Sequence, residues 1–89
     1  MNTSDESALV FPCRFPIKAM GLAQDDLHLR IIEIVQQHVP ELTDDAVSRR
    51  ASSNGKYLSV TVTIEATSRE QLDAIYQDLT ASEHVLMAL

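Results

Sequence analysis

The sequence predicts an α+β domain of order β-α-β-β-α-β, a four-stranded antiparallel sheet with two helices on one face. Three observations carry this. From Tyr57 to Ala66, Leu58, Val60, Val62, Ile64 and Ala66 alternate with Tyr57, Ser59, Thr61, Thr63 and Glu65. A strand has side-chain period two, so one row faces a core and the other faces solvent or a partner. Two stretches have helical apolar spacing, one after residue 24 and one after residue 67. Shorter apolar segments at 14–20 and 84–89 supply the first and last strands.

The elements follow in order. Residues 1–9 form a disordered leader, and 10–89 form a single domain. In the first strand, about 14–20, Phe15, Ile17 and Ala19 alternate with Pro16, Lys18 and Met20. Pro16 lies near the start, where a missing donor is tolerated, and Gly21 ends the strand. The first helix runs from about Asp25 to His38. Asp25 and Asp26 sit in its first turn, at the positive end of the dipole, and Pro40 stops it. Leu27, Ile31, Ile32, Ile34, Val35 and Val39 fill an arc roughly 160° wide, with His28 and His38 inside it and Leu29 outside. A polar connection, Glu41 to Asp45, leads to a second strand at 46–52. Asn54-Gly55 marks a tight turn in which both residues tolerate positive φ, so the second strand and the strand at 57–66 form a hairpin. Thr67-Ser68-Arg69-Glu70 reads as a capping box. Leu72, Ile75, Tyr76 and Leu79 then form a stripe about 100° wide.

This order is the ferredoxin-like pattern. Right-handed crossovers place both helices on one face, with strand order 4-1-3-2. The core is then Phe15, Ile17, Ala19, Leu58, Val60, Val62, Ile64, Leu72, Ile75, Leu79 and the helix-one arc. The other sheet face carries Lys18, Met20, Ser59, Thr61 and Thr63.

Composition limits the function. Eighty-nine residues with 45% hydrophobic content form one modest core. No apolar run approaches the ~20 residues of a membrane span. The acidic, polar start is unlike a signal peptide, and a single cysteine, Cys13, cannot form an intrachain disulfide. A cytoplasmic location follows as the expectation. Net charge is −6, which disfavours nucleic acid, although an acidic total is compatible with a local basic patch.

No catalytic constellation emerges. Metal sites need converging ligands, whereas His28, His38 and His84 are spread along the chain. Cys13 lies between two prolines with no histidine near in sequence, so it reads as a packing residue. Asp25-Asp26 and Asp44-Asp45 are adjacent pairs explained by a helix start and a solvated loop. With only Gly21 and Gly55, no glycine-rich phosphate cradle exists. Base stacking on this fold uses aromatic side chains of the central strands, but only Tyr57 is aromatic among the outward residues. The first strand–helix loop, Gly21-Leu22-Ala23-Gln24, lacks the arginine that ferredoxin-like acylphosphatases use. No enzyme activity and no cofactor are expected.

Surfaces remain as candidates. Lys18, Met20, Ser59, Thr61 and Thr63 form an open sheet face. Gly21 is either a strand terminator or a contact for a ligand or partner. Leu29 and Ile32 either meet a partner or lie under Val10 and Phe11, and free sheet edges offer strand pairing. The rival reading is an RNA-binding module using Lys18, Arg49, Lys56 and Tyr57.

Taken together, Phe11-Pro12, Phe15-Pro16-Ile17-Lys18-Ala19-Met20-Gly21, Val35-Gln36-Gln37-His38-Val39-Pro40, Ser52-Ser53-Asn54-Gly55-Lys56-Tyr57, Ser59 to Ile64 and Val85-Leu86-Met87-Ala88-Leu89 resemble the small bacterial YbeD-like proteins, the UPF-type "lipoate regulatory protein" family. The resemblance spans about residues 10–89. It implies a fold similar to ACT regulatory domains, which bind small effectors near the first strand–helix loop, here Met20 to Gln24, and pair through sheet edges or helices. It also implies a link to lipoate metabolism, without a catalytic residue. The expected role is a non-enzymatic regulatory or adaptor domain with a protein partner or a second copy, and with a small effector as a further ligand.

Overall fold

The computed structural model describes residues 9–24 and 26–89. The predicted leader falls almost wholly outside them, as does Asp25. In chain order the elements are β1 (Cys13–Leu22), α1 (Leu27–Gln36), a one-turn 3-10 helix (Asp44–Ala46), β2 (Val47–Ala51), β3 (Tyr57–Ala66), α2 (Arg69–Ala81) and β4 (Met87–Ala88). The sheet runs β2-β3-β1-β4 and is antiparallel throughout. This is the expected order 4-1-3-2 seen from the other edge.

β1 and β3 pair along their full lengths, from Cys13 opposite Ala66 to Leu22 opposite Tyr57. Opposed residues share a face. Ile17, Ala19, Val60, Val62, Ile64 and Ala66 therefore point together under the helices, each at most 3% exposed. Leu27, Ile31 and Val35 of α1 and Leu72, Ile75 and Leu79 of α2 close this core. Phe15, Leu58, Ile32 and Ile34, expected in the core, are half-buried and pack against it. No polar side chain is buried among the described residues.

Several local readings are corrected. β1 runs two residues beyond Met20, so Gly21 does not end it. Gly21 pairs with Leu58, one pair before the end of the ladder, and a Cβ placed there would overlap the His84 carbonyl oxygen and crowd Leu27. The glycine permits close passage of the chain before β4. Pro16 lies inside β1, opposite Thr63. Lys18 and Met20 direct their backbone groups toward the last strand, and by the same alternation so does Pro16, at a level beyond the end of β4. Its missing N–H therefore costs no ladder bond.

α1 begins at Leu27, with Asp25 outside the described residues. Asp26 takes the cap position without capping, and its carboxylate accepts from Arg30 Nε at 3.1 Å instead. The helix ends at Gln36, two residues early, because the bonds from His38 N and Val39 N both return to Val35 O and close the turn before Pro40. β2 starts at Val47, one residue late, since Asp44–Ala46 form the 3-10 turn. The hairpin loop is wider than a two-residue turn. Ser52 pairs with Tyr57 through Ser52 N to Tyr57 O at 2.9 Å, and Gly55 N returns to Ser52 O at 2.9 Å. Only Gly55 takes positive φ, at 74°, while Asn54 Oδ1 accepts from Ser52 Oγ and Lys56 N. Residues 84–86 are a turn rather than strand, leaving β4 as Met87–Ala88.

The cap lies one residue later than the predicted box. Ser68 is the N-cap, and its Oγ accepts from Gln71 N at 3.0 Å, while Gln71 Oε1 accepts from Thr67 N at 2.8 Å. Thr67 and Glu70 have the right residue types one position early. Ser68→Ala is expected to lower stability by about 1 kcal/mol, read as a shift in urea midpoint. Thr67→Ala, whose hydroxyl caps nothing, is expected to leave the midpoint nearly unchanged.

The two helices are tied at one end. His38 Nε2 lies 2.6 Å from Asp78 Oδ2, and Gln71 Nε2 donates to His38 O at 3.3 Å.

Candidate functional site

Among the described residues, the helices cover one face of the sheet and no element covers the other. Across the other face, the strand registers set out two rows. Arg50, Ser59, Met20 and Met87 form one, each opposite the next across β2, β3, β1 and β4. Ser48, Thr61 and Lys18 form the second. Leu89 completes it, since Lys18 N donates to Leu89 O at 3.0 Å and Leu89 N donates to Lys18 O at 2.7 Å. Leu22 lies opposite Tyr57 at one end of this face, and Thr63, Glu65, Pro16 and Arg14 continue it at the other.

Physical character divides across this surface. On the β4 side, Met87 is 50% exposed, Leu89 67% and Leu22 43%, with Met20 half-buried beside them. Toward β2 the surface is basic and hydroxylated. Lys18, Ser48, Arg49, Arg50, Ser59 and Thr61 line a shallow depression of about 340 Å3. None of Arg14, Lys18 and Arg50 has a side-chain ion pair or hydrogen bond among the described residues. Glu65, opposite Arg14, is the one side-chain carboxylate in these rows. The chain carries 13 acidic and 7 basic residues, yet this face has the opposite sign. An open cleft of about 550 Å3, lined partly by Arg14, Thr63 and Glu65, adjoins it. There Thr43 Oγ1 donates to Asp45.

The geometry of β4 is what presents Met87 and Leu89. Leu86 N donates to Met20 O at 2.8 Å, and the Tyr76 hydroxyl of α2 donates to Leu89 O at 2.7 Å. Burial raises the Tyr76 phenol above its ordinary value, because desolvation disfavours the phenolate. A raised pKa means that the fold favours the protonated form. This contribution is intact below the ordinary phenol pKa of about 10 and is lost as pH rises through the raised value. Wild type is expected to lose stability on that alkaline limb, with Tyr76→Phe showing a flatter one in a pH series of urea midpoints.

Of the residues singled out by sequence, the structure brings Lys18, Met20, Ser59, Thr61 and Thr63 together on this face. Gly21 belongs to the buried side, against His84 and Leu27. Leu29 is 58% exposed and lies on α1, on the far side of the sheet, with Ile32 half-buried beside it. His28, Leu29, Ile32, Asp44, Val47 and Arg49 line a separate groove of about 230 Å3. Val10, suggested as cover for this helix, is itself 71% exposed. Of the basic residues in the RNA-binding alternative, Arg49 points to this second groove, with Nη1 3.2 Å from each His28 ring nitrogen. Lys56 stands over the Tyr57 ring, 5.5 Å from its centroid. Arg14, Arg50, Met87 and Leu89 were missed by sequence reasoning. Period two places each on a face once its strand is known, but only the register makes them neighbours of Lys18 and Met20.

Among the described residues, no three His, Cys, Asp or Glu side chains form a metal-holding group, and no helix is long and apolar enough to cross a membrane. The three histidines lie in separate places, beside Arg49, Asp78 and Glu83.

Fold and sheet face define a small ferredoxin-like domain. The solution structure of protein HP0495 from H. pylori has the same fold, with a TM-score of 0.74 at 16% identity, covering 100% of this chain and 94% of that one. Residues 6–89 match the family described as "Protein of unknown function (DUF493)", and the chain belongs to that family. It is 49% identical over 84 residues to UPF0250 protein RSc0326 of Ralstonia nicotianae, covering 94% of this chain and 87% of that protein. It is 44% identical over 89 residues to a UPF0250 protein of Chromobacterium violaceum, covering both in full. This is the family named by the sequence resemblance.

Proposed function

We propose that this protein is a non-enzymatic regulatory or adaptor domain that binds a protein partner through its uncovered sheet face. The observation that carries this reading is the placement of exposed Met87, Leu89 and Leu22 beside Lys18 and Arg50, cations with no ion pair among the described residues. Exposed apolar groups rimmed by charge mark interaction surfaces. The core holds no polar side chain that could serve as a sequestered acid, base or nucleophile among the described residues. Pairing of two copies face to face would set basic half on basic half about a two-fold axis running across the strands, and would bury Lys18 and Arg50 against the apolar half about an axis running along them, so the favoured partner is a different chain. Gly21 offers little to a small effector, since its surroundings are filled by His84 and Leu27. The implied lipoate link enters as a choice of probe, with lipoate and octanoate tested for competition with the partner.

The test is affinity capture from native extract, read by mass spectrometry, with wild type, Met87→Asp and Leu29→Asp. Both substitutions are at exposed positions and are expected to leave folding intact. Proteins retained by wild type and Leu29→Asp but lost with Met87→Asp support the reading. Retention that survives Met87→Asp and disappears with Leu29→Asp moves the function to the α1 groove and overturns it.

A further inference from the structure

The same surface also defines the chemistry of its partner, an inference that rests on the reading just given. We infer that the occupant of the uncovered face is an acidic amphipathic helix lying along β1. Charge complementarity is the first argument. Lys18 and Arg50 form no ion pair among the described residues, and Arg14, opposite Glu65, lies beyond Lys18 on the same face. A segment rich in Asp and Glu supplies counter-charges, whereas a basic one is repelled.

Shape is the second argument. Met20, Leu22, Met87 and Leu89 form an apolar strip on adjacent strands, which lie about 4.8 Å apart. Arg50 stands two strands from Met20, about 10 Å away, and an α-helix with its side chains is about 10–12 Å wide. A helix with its apolar stripe on the methionine–leucine strip therefore carries a flanking acidic row to Arg50, with another acidic group over Lys18. From Arg14 to Leu22 the face runs about 27 Å at strand rise, the length of about 18 helical residues. Unbranched, polarisable Met20 and Met87 adapt to the ridges of such a helix.

Single-stranded RNA is the competing polyanion, but it needs a stacking platform. Tyr57 is the one aromatic in the rows, and it is already covered by Lys56. The apolar strip also gives a phosphate backbone nothing to contact.

Methionine methyl NMR tests this directly. The chain has three methionines. Two of them, Met20 and Met87, are neighbours on this face, and Met1 serves as the internal control. The probes are an 18-residue amphipathic peptide with Leu and Met on one face and Glu on the other, its Lys-for-Glu counterpart, and a dodecauridylate. The acidic peptide is expected to shift the Met20 and Met87 methyl signals saturably, and the Lys counterpart is expected to leave them unmoved. The Lys18→Glu/Arg50→Glu double variant is expected to weaken binding about tenfold or more, and added salt to weaken binding to wild type. Equal binding of both peptides overturns the inference, as do shifts with uridylate alone or no shift with the acidic peptide. If partner capture remains sensitive to Met87→Asp in any of these cases, the binding face stands and only its assigned chemistry fails.

Discussion

Ile75→Ala is expected to remove about 3–4 kcal/mol of stability, the largest effect of any single substitution considered. Ile75 is 0% exposed and sits on the buried stripe of α2 with Leu72 and Leu79. Truncation deletes buried methyl and methylene groups and leaves a cavity. Leu- or Ile-to-Ala changes in such settings cost about 2–5 kcal/mol. Domains of this kind have total stabilities of about 5–15 kcal/mol, so the variant approaches marginal stability. Equilibrium urea unfolding followed by far-UV circular dichroism measures it. Leu86→Ala, at a residue 61% exposed, serves as a control and is expected to stay within about 0.5 kcal/mol. A loss below about 1 kcal/mol for Ile75→Ala would mean that α2 does not seal the core as described.

Gly21→Ala is expected to be the second largest, at about 2–3 kcal/mol, near the upper end for overpacking. The atom in the way is a backbone carbonyl, that of His84, which cannot turn aside as a side chain can. Relief requires moving the turn before β4, stretching the Leu86 N to Met20 O bond and displacing Met87. The amides of Leu86 and Leu89 are expected to exchange faster with solvent, and those of Val60 and Val62 to change only with global stability. Unchanged exchange at Leu86 together with an unchanged urea midpoint would contradict the close passage.

These expectations show which parts of the molecule were legible in its sequence. β3 matched its predicted bounds because ten residues of strict alternation admit one reading. α2 was recognised by its narrow stripe, but its cap was placed one residue early, since Thr67 and Ser68 are chemically equivalent capping candidates and backbone geometry chooses between them. Gly21 looked like a terminator because nothing in sequence reveals that His84, 63 positions later, passes against it. Of the candidate face, Lys18, Met20, Ser59, Thr61 and Thr63 were legible from period two alone. Arg50 and Met87 were not, since their nearness to Lys18 and Met20 depends on hydrogen-bonded register across strands. The charge sign of the face was hidden for the same reason. A net charge of −6 is a sum over all sides of the chain, whereas pairing sorts Lys18 and Arg50 onto a side with few carboxylates.

The central claim is that the uncovered sheet face is the working surface, and one measurement tests it most directly. The protein, labelled with 13C at its methionine and leucine methyl groups, is added to unlabelled native extract and compared with the same sample in buffer. Engagement of the sheet face broadens and shifts Met20, Met87 and Leu89 and leaves Leu29 sharp. Broadening confined to Leu29, with Met20 and Met87 unchanged, would contradict the account and assign binding to the α1 groove.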